Sequence, residues 1–523
     1  MLRTSRLRLI RRAFLAAAAG AFIGLSAWTA MAQTAGGDLV FVQNSNPPSL
    51  DAMVTTSQAS RNITMNMYET LFGFSEDIRP IPILAKSVDI SPDGKTYRIP
   101  LREGVKFHNG KEMKAEDVKA SLDRYKKVGG TQTMLAPVES IDVTGPYEVT
   151  LRLSEPTPTF MESFASPRAP AVIIPAEEAA KEPNKISFIG TGPYKFVEYV
   201  PDSHVKLERF KDYVPNEDYK DIDGFGGKKT AYLDTITFRV IPEAGAAVAA
   251  LETGEVQVLE QIPVPTARRL ASNPDIKTYE NMPWAFLTFI MNMKAAPTDN
   301  VKFREAVALA LNDEEVMAIA TEGLFNLYHG WMYEGSTYDA GDIGKEFYNV
   351  HDAERAKALL KEAGYNGEPF SLLTDSNIPE HGKAAVVIAE QLKAVGINAV
   401  VNQVDWPTAL KIRLQDSGWN GWTLAMGIEP YLGPAALIST LTGAAPHFRA
   451  NDPELDALYK ELITTDGVDG RKAVFAKIQK RLYEFFGIVK VGETGLMQAA
   501  RANVQGFKPF RFPRLYNVWL EKK

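Results

Sequence analysis

Apolar positions along the chain follow two periods, and the switches between them mark out its elements. Near the start, "GGDLVFVQNSNPPSLDAM" reads as a short β-run and then a Pro-rich turn. In "SRNITMNMYETLFGF" the sets Ile63, Met67, Leu71 and Met65, Tyr68, Phe72 recur at helical spacing and predict a helix. The stretch "PILAKSVDISPDGKTYRIPLREGVKFHNG" alternates like strands, with Asp93-Gly94 as a hairpin turn. Next, "KEMKAEDVKASLDRYKKV" places Val118, Leu122 and Tyr125 on one helical face. "VESIDVTGPYEVTLRLSEP" reads as a second hairpin broken at Gly145-Pro146, and "GTGPYKFVEYVPDSHVKLERFKDY" as strand, turn, strand. "AAVAALETGEVQVLEQIP" predicts a helix and then a strand, and "DNVKFREAVALALNDEEVMAIA" a pair of helices. "HDAERAKALLKEAGYNGEPFSLLTD" predicts a helix closed by Gly364 and then a strand; "AAVVIAEQLKAVGINAVVNQVDW" repeats that logic. Strands alternating with helices in the second half predict α/β lobes. The hairpins over residues 85–155 predict a more antiparallel insert. No tandem repeat or low-complexity tract interrupts the pattern.

The N-terminus departs from both periods. Met1 to Arg12 hold five arginines and no acid, Ala13 to Trp28 are almost wholly apolar or small, and Ala30-Met31-Ala32 is a small-x-small site. That order predicts a secretory signal peptide cleaved after about Ala32. Arg11-Arg12-Ala13-Phe14-Leu15 resembles a twin-arginine signal, so the Sec and twin-arginine routes both stand open. With no cysteine in 523 residues, there is no site for a lipid anchor, no disulfide framework, no thiol nucleophile and no Cys-based zinc site. The residues after the signal are too many for one ordinary core and predict two or three lobes. They carry 53 basic against 64 acidic side chains, a net of −11, with no basic patch, which argues against nucleic acid. No second long apolar run occurs, and a soluble exported protein is expected.

Seven stretches then fall in one order: "PPSLDAM", "MYETLFGF", "LAKSVDISPDGKTYRIPLREGVKFHNGKEMKAEDVKASLDR", "GTGPYKFVEY", "LETGEVQV", "DNVKFREAVALALN" and "DAERAKALLKEAGY". In that order they resemble the large peptide/nickel/opine-type solute-binding proteins of ABC importers, family 5. The resemblance implies an α/β, two-lobed periplasmic-binding-protein-like fold (type II, cluster C) with an extra α+β insert domain. The implied division is a signal peptide over 1–32, a discontinuous lobe I of 33–76, 190–282 and 494–523, an insert over 77–189, and lobe II over 283–493. It further implies a periplasmic, monomeric receptor that traps a solute by cleft closure and hands it to permease subunits in the inner membrane. No cofactor and no metal are expected. Within this resemblance "GVKFHNG" with "AEDVKASL" is scaffold: Asn109-Gly110 supplies a turn, acids open the helix, and His108 is a turn or packing residue.

Candidate ligand residues centre on "DWPTALKIRLQDSGWNGWTLAMGIEPYLGP". Peptide-binding relatives carry here a tryptophan, an arginine and a Gly-Trp-x-x-Asp motif whose Asp pairs with the peptide ammonium. Trp406 and Arg413 match the first two. At the motif this chain has Ile428 for the Trp and Tyr431 for the Asp, and Glu429 is the carboxylate nearby. Burying an ammonium without a partner costs about 3–5 kcal/mol. Either Glu429 substitutes, or the ligand is no ordinary free peptide. Arg413 suits a carboxylate through its planar fork, or equally a surface salt bridge. Trp284, Trp406, Trp422 and Tyr431 are candidate stacking faces, with Phe286, Trp331, Tyr333 and Trp419 as further aromatics that core packing would equally explain. Asn44, Ser45 and Asn46 sit where the first strand should end at the cleft; they either bond ligand or shape the turn. Di- or oligopeptides rank first as ligand, then opine-like conjugates, oligosaccharides and nickel chelates. A secreted hydrolase and a periplasmic chaperone are the other classes. The hydrolase is disfavoured because the chain has no Gly-x-Ser-x-Gly elbow, no His-Glu-x-x-His helix and six scattered histidines.

Overall fold

The computed structural model describes residues 33, 35–427, 433–443, 447–449 and 452–521. Its centre is an 11-stranded mixed sheet. In chain order the strands are β1 (Asp38–Gln43), β2 (Tyr194–Val200), β3 (His204–Arg209), β4 (Thr235–Val240), β5 (Val258–Ile262), β6 (Ile276–Met291), β7 (Phe325–Asn326), β8 (Phe370–Asp375), β9 (Ala399–Val404), β10 (Gly421–Met426) and β11 (Ile488–Arg501). Their spatial order is β9-β8-β10-β6-β11-β5-β1-β4-β3-β2, with β7 added to β11. β1 runs parallel to both β4 and β5, and β8 runs parallel to β9 and β10. The long antiparallel pair β6 and β11 joins the two halves. Its register runs from Ile276 opposite Arg501 to Asn281 opposite Leu496, breaks, and resumes at Ala285 opposite Thr494.

Most periodic segments form as expected. The helix Ala115–Val128 buries Val118, Leu122 and Tyr125 over a separate four-stranded antiparallel sheet built from both hairpins. The helices Ala353–Glu362 and Pro379–Ala394 are each followed by a glycine at positive φ, Gly364 and Gly396, and then by β8 and β9. Asn300 and Asn312 cap the helix pair Val301–Ala310 and Asp313–Ala320.

One prediction runs too long. The helix in "SRNITMNMYETLFGF" covers Gln58–Thr64 alone, and Phe72–Phe74 is a strand. The cause is tertiary: Met67 O accepts from Gly192 N at 2.9 Å and Asn66 O from Tyr194 N at 3.2 Å. These carbonyls bond the "GTGPY" loop instead of a following helical turn. The loop lies so close that a Cβ on Gly190 would stand 2.3 Å from Met67 O. His108 pins the same loop, its Nε2 3.0 Å from Gly192 O and its Nδ1 accepting from Gly190 N at 3.1 Å. Burial pushes the imidazole down to about 4. It packs edge-on against Phe210, and every one of these contacts is structural.

The shared motifs are likewise tied together by buried charges. Asp51 of "PPSLDAM" accepts from Arg124 of "KASLDR" at 2.5 and 3.2 Å, and from Asn184 N at 3.1 Å. Glu69 of "MYETLFGF" accepts from Lys229, Tyr213 and the loop's Thr191, at 3.0–3.1 Å. Buried ions persist only when paired and hydrogen-bonded, so these residue types are set by the join between segments.

Candidate functional site

Two cavities are lined by sequence candidates. The first, of about 280 Å³, opens at the carboxyl ends of the parallel strands β1 and β5. Open α/β sheets place ligands at that end. Asn44, Ser45 and Glu260 come from those strand ends; Trp284, Thr494 and Gly495 come from the register break of β6 and β11; Glu380 comes from the first turn of the helix Pro379–Ala394. The wall therefore draws on both halves and on the strands that link them.

Its chemistry is acidic. Asn62 Nδ2 donates to Glu260 at 2.6 Å, and Glu260 O accepts from Gln498 at 3.1 Å. Burial raises the Glu260 pKa, against the Asn62 and Asn44 hydrogen bonds. Glu380 has a buried Oε1 with no partner, and burial pushes its carboxyl up to about 7 against the pull of Lys383. The Arg511 guanidinium lies 3.9 Å over the Trp284 ring and donates to Trp284 O at 3.0 Å, which fixes that indole as a wall.

The second cavity, of about 400 Å³, has the opposite character. β10 supplies Trp422, the helix Trp406–Ile412 supplies Trp406, and Arg413 and His447 complete the wall with Arg168 from residues 77–189. Aromatic rings form a ladder along it: His381 to Trp406 at 6.2 Å, Trp406 to Trp422 at 6.4 Å, Trp422 to His447 at 6.3 Å. Arg413 Cζ lies 5.4 Å from the Trp422 ring centroid. Among the described residues, Arg413 Nε, Trp422 Nε1 and the ring nitrogen His447 Nδ1 are buried without hydrogen-bond partners. Burial, then Arg413, pushes His447 down to about 4, so the ring is neutral. A larger space of about 900 Å³ adjoins it, sharing Arg168, Ala436 and Thr440.

Six sequence candidates thus face these cavities: Asn44, Ser45 and Trp284 the first, Trp406, Arg413 and Trp422 the second. Asn46 lines neither; its amide bonds Asp202, whose backbone N–H it accepts at 3.1 Å. It shapes the turn. Glu429 and Tyr431 lie outside the described residues. Phe286, Trp331 and Trp419 are core residues with at most 1 % exposure, and Tyr333 packs edge-on against Phe286. Sequence reading missed Glu260, Glu380, Arg168 and His447. A carboxylate inside the apolar run "VQVLEQI" was the one available signal for Glu260.

His381 and Asp375 form a buried pair at 2.5 Å, the geometry of a general-base dyad. The ring's other nitrogen, Nε2, accepts from Ala425 N at 2.8 Å. Both nitrogens are committed to holding β10 against its helix, and burial lowers the imidazole pKa. Among the described residues no group of three or more His, Asp or Glu could hold a metal ion, and no helix is long and apolar enough to cross a membrane.

The chain belongs to the bacterial extracellular solute-binding proteins, family 5: the model of that family's middle region matches residues 79–447. The fold is accordingly two-lobed. A probable peptide ABC transporter periplasmic-binding protein of Sinorhizobium fredii is 28% identical, over 90% of this chain and 91% of its own. The glutathione-binding protein GsiB of Escherichia coli is 29% identical, over 90% and 91%. The crystal structure of NikA from Brucella suis in complex with Fe(III)-EDTA superposes with a TM-score of 0.81, at 21% identity, covering 93% of this chain and 100% of that one.

Proposed function

We propose that this protein is a periplasmic receptor that captures a small peptide-like solute by closing its lobes and delivers it to an ABC importer. The observation that carries this reading is the pair of cavities of opposite character, one at the carboxyl ends of β1 and β5 and one beside β10. One presents carboxylates, and the other presents the unpartnered donors Arg413 Nε and Trp422 Nε1 beside stacking indoles. A solute with an acidic end and aromatic or planar amide surface matches the second. The names of the relatives, for peptides and for glutathione, support the same class.

Lobe I comprises 33–76, 190–282 and 494–523, the insert 77–189, and lobe II 283–493. Closure pivots at the register break of β6 and β11, where the paired ladder is interrupted and bending costs least. The signal peptide is removed after about Ala32, the working form is a monomer, and the partner is the inner-membrane permease. The ligand leaves unchanged, in keeping with a His381 whose two ring nitrogens are already bonded.

Native mass spectrometry of protein taken gently from its periplasm tests this, together with melting scans of the stripped protein. Pools of di- and tripeptides, glutathione, opines, oligosaccharides and nickel chelates are added separately. Ligand at a hundred times its Kd adds about 2.7 kcal/mol of stability. An intact peptide or glutathione mass with matching stabilisation is expected. An opine or chelate mass keeps the receptor and changes its cargo, and recovery only of cleaved products overturns the receptor.

A further inference from the structure

The family motif that would pair with a ligand's amine is altered in this chain, yet the acidic cavity supplies two carboxylates that no motif announces. We propose that the cavity between Glu260 and Glu380 is an ammonium subsite, which takes the amine end of the solute while its acidic end faces Arg413. This inference rests on the peptide-like ligand of the preceding reading.

Three features support it. The two carboxylates approach from different lobes, Glu260 from the end of β5 and Glu380 from the helix facing it, so a cation between them is held only when the lobes are together. Neither makes an ion pair with a described residue: Lys383 is bonded to Glu322 at 2.7 Å, and Arg511 lies over Trp284. Glu380 also keeps a buried oxygen without any hydrogen-bond partner, a condition that a bound ammonium, with its three donors, removes. The remaining lining, Asn44, Ser45, Gln261 and Thr494, offers neutral acceptors, and the Trp284 face borders the same space. Burial raises the pKa of both glutamates, for Glu260 against its hydrogen bonds and for Glu380 against the pull of Lys383. The cavity has a volume of about 280 Å³.

Titration calorimetry at pH 8 compares the stripped wild type with Glu380→Gln and Glu260→Gln, using trialanine, glutathione and the N-acetylated form of each. Acetylation is expected to weaken wild-type binding by at least about tenfold, the scale of losing a charged partner. Each Gln variant is expected to weaken the free amines about tenfold and leave the acetylated forms within about twofold. Free-amine affinity unchanged in both variants overturns the subsite and leaves the receptor standing. If no peptide probe binds the wild type, the peptide-like reading falls, and agmatine then reads the subsite by itself. A melting shift with agmatine in the wild type that Glu380→Gln abolishes sustains the subsite. Equal shifts, or none, overturn it. A cooperative melt for each variant separates loss of binding from loss of folding.

Discussion

Glu380 ties folding to pH through a single buried oxygen. In the folded chain its carboxyl holds a proton up to about 7, whereas an ordinary glutamate releases it near 4.5. The folded state thus binds more protons in that window, and its stability falls as pH rises from about 4.5 to 7 and stays lower above. The charge that acts on it is Lys383, one turn along and bonded to Glu322, which pulls the carboxyl down against burial. The penalty is about 1–3 kcal/mol, reduced by partial exposure. Glu380→Gln removes the ionisation, so its Tm should exceed the wild-type Tm at pH 8 and match it near pH 4.5 in calorimetric scans. At the other cavity, Arg413→Ala should weaken an acidic ligand by about 2–3 kcal/mol, near a hundredfold, in titration calorimetry. An unchanged Kd would place Arg413 outside the ligand's reach.

At the scale of elements, the strongest constraint is the loop that joins "GTGPY" to the end of the first helix. Gly190 and Gly192 lie against Met67 so closely that a side chain has no room: a Cβ on Gly192 would meet Met67 C at 2.6 Å. Gly192→Ala should cost more than about 2 kcal/mol in urea unfolding, by forcing backbone apart, and leave ligand affinity unchanged at temperatures where the variant is folded. His108, and Glu69 through the hydroxyl of Thr191, clamp the same loop from two other segments. That convergence explains why the first helix ends early. Its apolar spacing continued to Leu71, but the carbonyls of Asn66 and Met67 had better-placed donors in a loop 125 residues away by numbering, from Met67 to Gly192. Periodicity reads which faces are apolar; it does not read where a backbone carbonyl finds its donor.

Across the whole molecule, a buried network joins three distant segments of the chain. Glu162, in the short helix Phe160–Phe164, accepts from Arg471 at 2.5 Å and from Tyr338 at 2.6 Å, and Arg471 Nε meets Tyr338 Oη at 3.0 Å. None of the three lines either small cavity. A contact of this kind favours the arrangement in which the cavities are assembled, and ligand affinity carries that population as a factor. Glu162→Gln should therefore weaken ligand binding by about fivefold and enlarge the radius of gyration in solution scattering of the liganded protein. Equal affinity and equal scattering would confine the network to local stability.

The sequence alone determined the order of strands and helices, the antiparallel insert, the family and six of the residues that face the cavities. It could do so because apolar period, turn glycines and helix caps act over a few residues. Trp406 and Arg413 were legible through the motif around them, and Asn44 and Ser45 through the end of a strand. Tertiary structure decided the rest. Glu260 and Glu380 stand 120 residues apart by number, in segments that look like an ordinary strand and an ordinary helix start, and they become a site only through the cavity they share. The structural role of the His381–Asp375 pair is set by Ala425 N, which donates to the second ring nitrogen from a segment 44 residues along the chain. Charge and hydrogen bonding depend on what lies across a gap and on how much water remains there, and no local pattern in a chain encodes either.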